Sequence, residues 1–375
     1  MKLLFTTNYL SPYRVDFFNE LGKHHDLTVW ASKNVTENRD DKWFNNRYQN
    51  FEVQYVDGGL GHKLRLVKTI SSYDLAIIGV YTEKTATLAL LYSKLKKLPV
   101  ALEIDGGIKS SGKGLKELVK KFLLSIPTWY ISPGAFADEY LKFYGAKQEE
   151  IYRYPFTSSF SSELLDKPPS FEEKAELQKE LGMKEEKIVI GVGQFIHRKG
   201  NDVLMKAAHI LNDPSIGFYI IGGEPTEEYL ALKEKLGLDN LHFVDFKIKS
   251  ELAKWYKSAD LFVLPTREDI WGLVVNEAMQ FGLPVVTTDR CVAGLELVKD
   301  NENGFIVPVD DSSSLADKMH VILNNNELRS KMAEESLRKI SGHTIENMVI
   351  CHLDIIAKIV FKKCCSSKIY RLLHK

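Results

Sequence analysis

The sequence has few cysteines and no long apolar run, and we expect no export signal. No stretch approaches the roughly 18 apolar residues that a helix needs to cross a bilayer. Near the N-terminus only residues 3–5 form an apolar run, which is too short for the core of an export signal. The four cysteines lack the spacing of metal ligands: Cys291, Cys351, Cys364 and Cys365. We therefore expect a cytoplasmic protein with reduced thiols.

The sequence also has no excess of charge of either sign. Its 50 lysines and arginines balance 50 aspartates and glutamates. Because a chain without net charge has no overall field that attracts nucleic acid, no nucleic-acid partner is expected. The chain is nonetheless long, since 375 residues exceed one ordinary hydrophobic core. Two folded domains are therefore predicted.

Short apolar runs alternate with helical patterns along most of the chain. This alternation predicts α/β domains in which helices join parallel strands. A serine- and proline-rich segment at residues 157–176 breaks the rhythm and indicates an interdomain linker. We predict Rossmann-like domains at residues 1–160 and 161–345, followed by a helical tail at 346–375. The predicted strands lie at residues 2–7, 27–31, 51–56, 75–80, 100–104 and 129–131, and at 188–192, 218–221, 241–244, 261–264, 285–288 and 305–307.

Two acids stand out in the string TREDIWGLVVNEAMQFGLP at residues 266–284. Asp269 and Glu277 are separated by seven residues, and Gly272 lies between them. Asp269 follows a predicted strand, whereas Glu277 lies in the first turns of the next predicted helix. Ligands of open α/β sheets bind beyond the carboxyl ends of the strands, and a helix start attracts anions. Such acids are also common helix-start residues, so the spacing alone leaves a structural role open.

A basic loop follows the first predicted strand of the second domain. Gly193 ends that strand, and Arg198 and Lys199 precede the next helix. Two cations at a strand end can neutralise a diphosphate, although a basic loop exposed to solvent is the simpler interpretation. The segment lacks the third glycine of a dinucleotide-binding fingerprint, which argues against a dehydrogenase.

Together these motifs resemble retaining glycosyltransferase family 4, of bacterial surface-polysaccharide type, over residues 188–310. Asp269 and Glu277 match the family's E-x7-E signature, with aspartate in place of the first glutamate. Lys199 matches the lysine of its G-R-x4-K-G motif, in which Gln194 replaces the usual arginine. The resemblance implies a GT-B fold, in which two Rossmann-like domains face a cleft and the last helix crosses back to the N-terminal domain.

The resemblance also implies roles for individual residues. The implied catalytic residues are Asp269, Glu277, Lys199 and Asp105. The implied donor-binding residues are Gly193, Arg198, Lys199, Gly223, Phe246, Gly272, Leu273, Val274 and Glu277. The implied acceptor contacts are Tyr13 and Arg14, which follow the first strand. For Asp105, the cap of a Gly-Gly turn is an equally good interpretation.

The implied reaction moves a sugar with retention from a nucleotide-diphosphate sugar to an acceptor hydroxyl. UDP-sugars are the favoured donors and GDP-sugars the next. A lipid-linked glycan of capsule, exopolysaccharide or O-antigen assembly is the expected acceptor, by analogy with the family. No cofactor and no essential metal are expected. A nucleotide-sugar epimerase of the same fold and an inactive nucleotide-sugar-binding partner protein remain alternatives.

Two basic stretches suggest contact with the inner face of the cell membrane. From Lys113 to Leu124, lysines interleave with apolar residues in a helical pattern, and residues 359–375 repeat the arrangement. Amphipathic helices of this kind can lie in an anionic lipid interface. A lysine-rich helix can equally be the solvated face of a core helix. Peripheral membrane association is therefore a hypothesis at this stage.

Overall fold

The computed structural model describes residues 1–32, 48–108 and 114–366, with side chains up to residue 362. Contacts divide the chain into two compact units. Unit 1 comprises Met1–Ser158 together with His343–Lys375, and unit 2 comprises Ser159–Gly342. The C-terminal helical segment therefore belongs to the same unit as the N-terminus.

Unit 1 is built on a parallel sheet. Among the described residues the sheet has seven strands in the order β3-β2-β1-β4-β5-β6-β7. The strands are β1 (Lys2–Thr6), β2 (Asp26–Ala31), β3 (Glu52–Tyr55), β4 (Leu75–Ile78), β5 (Val100–Glu103), β6 (Trp129–Ser132) and β7 (Ile151–Arg153). Strand β4 is apolar and buried along its length, and β1 is buried from Leu3 onward, as expected for a parallel sheet covered on both faces.

Helices connect the strands of the unit 1 sheet, and a further helix follows unit 2 in the sequence. They are α1 (Pro12–Gly22), α2 (Leu60–Thr69), α3 (Lys84–Lys96), α4 (Leu115–Leu124), α5 (Ala135–Phe143) and α14 (Ile345–Ser366). Helix α14 packs against α1, so residues from the two ends of the sequence share one core. In the part of the chain that the structure describes, no helix is long and apolar enough to span a membrane.

Unit 2 repeats the design with a second parallel sheet. Its strands, counted over the described residues, form the order β10-β9-β8-β11-β12-β13. They are β8 (Lys187–Val192), β9 (Ile216–Ile221), β10 (Leu241–Val244), β11 (Leu261–Leu264), β12 (Val285–Thr288) and β13 (Gly304–Val307). The helices are α6 (Phe171–Glu180), α7 (Asn201–Leu211), α8 (Glu227–Leu236), α9 (Lys249–Ser258), α10 (Leu273–Gln280), α11 (Val292–Leu297), α12 (Ser312–Leu323) and α13 (Asn326–Ile340).

The predicted α/β architecture is confirmed, because each predicted strand coincides with an observed one to within one or two residues. The sequence analysis missed β7, which has three residues and only one fully buried side chain, Ile151. Such a short edge strand has too few apolar residues to show a period. Within each unit the strand order reverses beside the first strand, at β1/β4 and at β8/β11. Those reversals are the expected ligand positions of doubly wound sheets.

Candidate functional site

The candidate site of unit 2 lies where β8 and β11 pair side by side. These strands are parallel, with Leu261 opposite Val189 and Phe262 opposite Ile190. The loops that leave their carboxyl ends must therefore meet at one edge of the sheet. The loop after β8 carries Arg198 and Lys199, and the loop after β11 carries Asp269.

A glycine brings the two loops into contact. Gly200 ends a 3-10 turn at His197–Lys199 and begins helix α7 with a φ of 70°. A Cβ atom on this residue would lie 2.0 Å from the carbonyl oxygen of Pro265. Both the left-handed backbone and the close approach therefore require glycine. The basic loop is consequently held against the end of β11.

A carboxylate and two cations form the centre of the site. Lys199 Nζ lies 2.6 Å from Asp269 Oδ2, and Arg198 Nη1 lies 3.7 Å from the same oxygen. The side chains of Lys199 and Asp269 are each 14% exposed, whereas that of Arg198 is 45% exposed. One carboxylate thus faces two cations, which leaves a net positive charge on these three groups at the sheet edge.

Backbone hydrogen bonds fix the position of Asp269. Its N–H donates to the carbonyl of Arg290 at 2.9 Å, and its carbonyl accepts from the N–H of Val292. On the other side, Arg198 Nη1 donates to the carbonyl of Glu268 at 2.7 Å. The loop is thereby tied both to the segment after β12 and to the basic loop. Such preorganised groups lose little entropy when a ligand binds.

The sequence analysis missed Arg267 and Asp202, which brace the same loops. Arg267 donates two hydrogen bonds of 2.8 Å to the carboxylate of Asp202 in the first turn of α7, and a third of 2.7 Å to the carbonyl of His197. Burial alone would raise the pKa of Asp202. Hydrogen bonds from Arg267 and Lys206 outweigh burial and lower the pKa to about 2. The sequence did offer one signal for Arg267, because this residue lies two positions before Asp269 of the acidic motif.

We expect Asp202→Asn to destabilise the protein by about 2 kcal/mol at pH 7, because about two pKa units of stabilisation are lost. A depressed carboxylate pKa stabilises the fold above the unfolded value, and this contribution disappears as pH falls through about 2. The difference in the free energy of unfolding between Asp202→Asn and wild type should therefore become smaller below pH 4, as measured by urea titrations. Lys206→Met is the control. Because the Lys206 side chain is half exposed, this substitution should lower the free energy of unfolding by less than ~0.5 kcal/mol. An undiminished difference at pH 3 would contradict this account.

Helix α10 supplies the second acid and an anion-attracting end. It begins at Leu273, after Gly272, whose φ is 103°. The first N–H groups of a helix lack intrahelical acceptors, so those of Leu273 and Val274 suit an anion. Glu277 lies one turn further on and accepts a hydrogen bond from the buried hydroxyl of Tyr256 at 3.2 Å. The predicted acid pair therefore flanks this helix start.

The remaining predicted donor residues follow neighbouring strands of the same sheet. The N–H of Gly193 donates to the carbonyl of Ile221, at the end of β9. Gly223 follows β9 with a φ of 103°, and the half-buried Phe246 follows β10. These residues and the Lys199–Asp269 pair thus occupy one edge of the unit 2 sheet. The roles assigned to them stay predictions.

In unit 1 the predicted residues meet in another arrangement. Arg14 is 3% exposed and contacts both Asp105 and Glu103. The structure thus places Arg14 in an internal ion pair, and its predicted acceptor contact stays a prediction. Tyr13 is half-buried, its ring meets Phe156 edge-to-face, and burial raises its pKa to about 12. Its acceptor contact stays a prediction, as does a catalytic role for Asp105.

Comparisons with known proteins agree with this geometry. Residues 173–339 match the family model of glycosyl transferases group 1. The D-inositol 3-phosphate glycosyltransferase of Corynebacterium glutamicum is 32% identical over 162 residues, which are 40% of this chain and 38% of that protein. In six curated relatives, this one included, the alignment covers between 38% and 48% of the relative's own length.

Longer but weaker likenesses extend over the rest of the chain. The N,N'-diacetylbacillosaminyl-diphospho-undecaprenol alpha-1,3-N-acetylgalactosaminyltransferase of Campylobacter jejuni is 21% identical over 281 residues, 72% of this chain and 74% of that protein. The structure of Anabaena HepE in complex with UDP and glucose has a TM-score of 0.73 at 18% identity, covering 96% of this chain and 99% of HepE. At that identity the likeness shows the fold alone. Residues 173–339, a little under half of the chain, are therefore similar to the glycosyl transferases group 1 family.

Proposed function

We propose that the protein is a retaining glycosyltransferase that moves a sugar from a nucleotide-diphosphate sugar to an acceptor hydroxyl. The observation that carries the proposal is the Lys199–Asp269 pair at 2.6 Å, which lies at the strand reversal of unit 2 beside Arg198. The family model covers the same segment. A UDP-sugar is the favoured donor, a GDP-sugar the next, and HepE was solved with UDP.

The chemistry follows from the charges at this edge. When the sugar leaves, negative charge grows on the diphosphate. Lys199, Arg198 and the N-terminus of α10 would stabilise that charge. Such electrostatic stabilisation of the transition state is usually the largest single contribution to an enzyme's rate enhancement. Glu277 suits the ribose hydroxyls, and Asp269 suits hydroxyls of the transferred sugar. The two cations supply the neutralisation for which other transferases use a divalent metal, so we propose that no metal is essential.

The proposal is tested by thermal unfolding with UDP-, GDP-, ADP- and dTDP-sugars in the presence of EDTA. A ligand at 100 times its Kd should stabilise the protein by about 2.7 kcal/mol. We expect stabilisation by one nucleotide class, which is lost in Lys199→Ala and in Glu277→Ala. A response that requires Mg²⁺ would contradict the metal-free proposal. No response to any sugar nucleotide would contradict a donor site of this class.

Transfer to an acceptor separates the proposed reaction from its alternatives. An epimerase would convert the bound sugar without any acceptor, and an inactive partner protein would bind the nucleotide sugar without consuming it. We propose a lipid-linked glycan of bacterial surface-polysaccharide assembly as acceptor. The Campylobacter jejuni relative supports this choice, since its name specifies an undecaprenol-linked substrate. Release of nucleotide only when a polyprenyl-diphosphate glycan is added would support this assignment.

Helix α4 supports a peripheral position on the inner face of the cell membrane. Its apolar stripe points outward: Leu115 is 76% exposed, Leu118 66%, Val119 49% and Phe122 48%. Its inward polar residues are engaged, because Tyr144 donates a hydrogen bond to Glu117 and Lys120 Nζ lies 4.5 Å from the centre of the Tyr144 ring.

An outward apolar stripe with cations beside it fits an anionic lipid surface. Lys116 and Lys121 are exposed on the same helix, and Lys94 Nζ lies 4.6 Å from the centre of the Phe122 ring. In the first predicted basic stretch, Lys113 lies outside the described residues. In the second, the side chains of residues 363–375 are not described. The proposal therefore rests on α4.

We expect the double variant Leu118→Ser, Phe122→Ser to bind vesicles containing phosphatidylglycerol at least about tenfold more weakly, since each apolar side chain contributes ~1–2 kcal/mol when buried in lipid. Co-sedimentation measures the partition. Leu230→Ser with Val321→Ser is the control, because these side chains are similarly exposed in unit 2. Equal partition of wild type and both double variants would contradict docking through α4.

A further inference from the structure

A buried chain of charged groups in unit 1 ends at Asp105. Glu103 at the end of β5 and His352 on α14 are both 0% exposed. His352 Nε2 lies 2.8 Å from Glu103 Oε2, and Arg14 Nη1 lies 2.6 Å from Glu103 Oε1. The other terminal nitrogen of Arg14 donates to Asp105 Oδ1. One side chain from the C-terminal helix thus connects to Asp105 through two intermediates.

The hydrogen bonds assign the protons in this chain. His352 Nδ1 lies 2.7 Å from the carbonyl oxygen of Met348, which can only accept, so Nδ1 carries a proton. Burial alone would raise the pKa of Glu103, but Arg14 and His352 outweigh burial and lower it. Glu103 is therefore ionised, and it lies between two nitrogen partners, Nη1 of Arg14 and Nε2 of His352.

The charged groups of this network are buried, except for Asp105 at its end. The His352 ring lies between Phe17 and Tyr154, with centroid distances of 4.7 and 4.8 Å. Asp105, by contrast, is 37% exposed and is followed by two glycines. Its carboxylate is thus the accessible end of an otherwise buried network. The direction of that carboxylate depends on where Arg14 is held.

We propose that Glu103 and His352 are positioning residues, which fix Arg14 so that Arg14 orients the accessible carboxylate of Asp105. Its effect on catalysis depends on the proposed function, and on the catalytic role that the family resemblance implies for Asp105. A buried ion network can often be replaced by apolar residues without loss of stability, so its presence here is weak evidence for a purely structural role. A purely structural network would change stability without changing how Asp105 behaves.

Glu103→Gln and His352→Leu separate the two roles. A glutamine at position 103 can accept from Arg14 and donate to a neutral His352, so hydrogen bonding is preserved while charge is lost. We expect each variant to lower kcat at least about fivefold, with donor KM within about twofold of wild type. In an Asp105→Asn background neither variant should lower kcat further. Additional losses in that background would overturn the proposal.

The titration of Asp105 gives a readout that is independent of catalysis. It is observed by ¹³Cγ NMR of aspartate-labelled full-length protein and assigned with Asp105→Asn. The groups that face Asp105 are Arg14 and Tyr13 from α1, Glu103 from β5 and Tyr154 after β7, with His352 behind Glu103. Removing the negative charge of Glu103 should lower the pKa of Asp105. Replacing His352 with leucine should raise it, because Glu103 loses one partner and then competes more strongly for Arg14.

Shifts of opposite sign would support the positioning network, and an unchanged titration in both variants would overturn it. Where His352→Leu does not fold, His352→Gln replaces it, because its amide can still donate to Glu103 without carrying charge. This conservative variant should restore most of kcat if donation to Glu103 is sufficient. If wild type transfers no sugar, the proposed function fails, whereas opposite shifts of Asp105 would still support the network.

Discussion

Lys199→Met is expected to lower kcat/KM for sugar transfer about 10³-fold, since loss of one preorganised charge contact to a leaving group typically costs 10²–10³. Lys199 is a partly buried cation at the reversal point of the unit 2 sheet, and its side chain is only 14% exposed. Methionine keeps most of the apolar stem and removes the charge. Initial-rate kinetics with the donor found by thermal unfolding measure the effect.

Two controls separate chemistry from stability for Lys199→Met. Lys254→Met removes another lysine of unit 2 that pairs with a glutamate, Glu180, on an exposed surface. It should leave kcat/KM unchanged. The double variant Lys199→Met, Asp269→Asn removes both partners of the site, so it should regain stability without regaining activity. Activity within about threefold of wild type in Lys199→Met would contradict the assigned role.

Asp269→Asn is expected to separate binding from transfer. The carboxylate lies 2.6 Å from Lys199 Nζ and partly neutralises the charge that a diphosphate would meet. Asparagine removes that competition, so UDP or GDP should bind about tenfold more tightly, as the loss of one nearby like charge at an effective dielectric of 20 allows. Transfer should fall about 10²-fold, because the group assigned to the sugar hydroxyls is weakened.

Titration calorimetry with the free nucleoside diphosphate measures the first effect, and initial rates measure the second. Asp289→Asn is the matched control, because Asp289 is an exposed acid that follows β12 in the same unit. Weaker nucleotide binding by Asp269→Asn would show that the carboxylate holds Lys199 in place and does not compete with the ligand.

Periodicity and strand ends were enough to predict most of the framework. Buried runs such as the one at 261–264 have one interpretation, because parallel strands covered on both faces are apolar throughout. The meeting of Lys199 and Asp269 also follows from the sequence once β8 and β11 are neighbours. The spacing of Asp269 and Glu277 needed no structure, since both lie within one loop and helix.

Contacts between distant residues could not be predicted in this way. Glu103 and His352 are 249 residues apart, and no local pattern marks either as a partner of the other. Arg14 follows a strand end as a ligand contact would, yet it is buried and paired with Glu103 and Asp105. Helix α4 has a clear amphipathic pattern, but the pattern does not say which face the rest of unit 1 covers. In the structure its polar residues contact Tyr144, which no local pattern indicates.

The division of the chain has a consequence for the order of its synthesis. Unit 2 is one continuous stretch, Ser159–Gly342, placed inside the sequence of unit 1. A ribosome therefore makes Arg14 and Glu103 early and His352 only after all of unit 2. Because domains fold as units during translation, unit 2 can finish folding before unit 1. Until α14 emerges, the first half of the chain holds an arginine and a glutamate without their histidine partner.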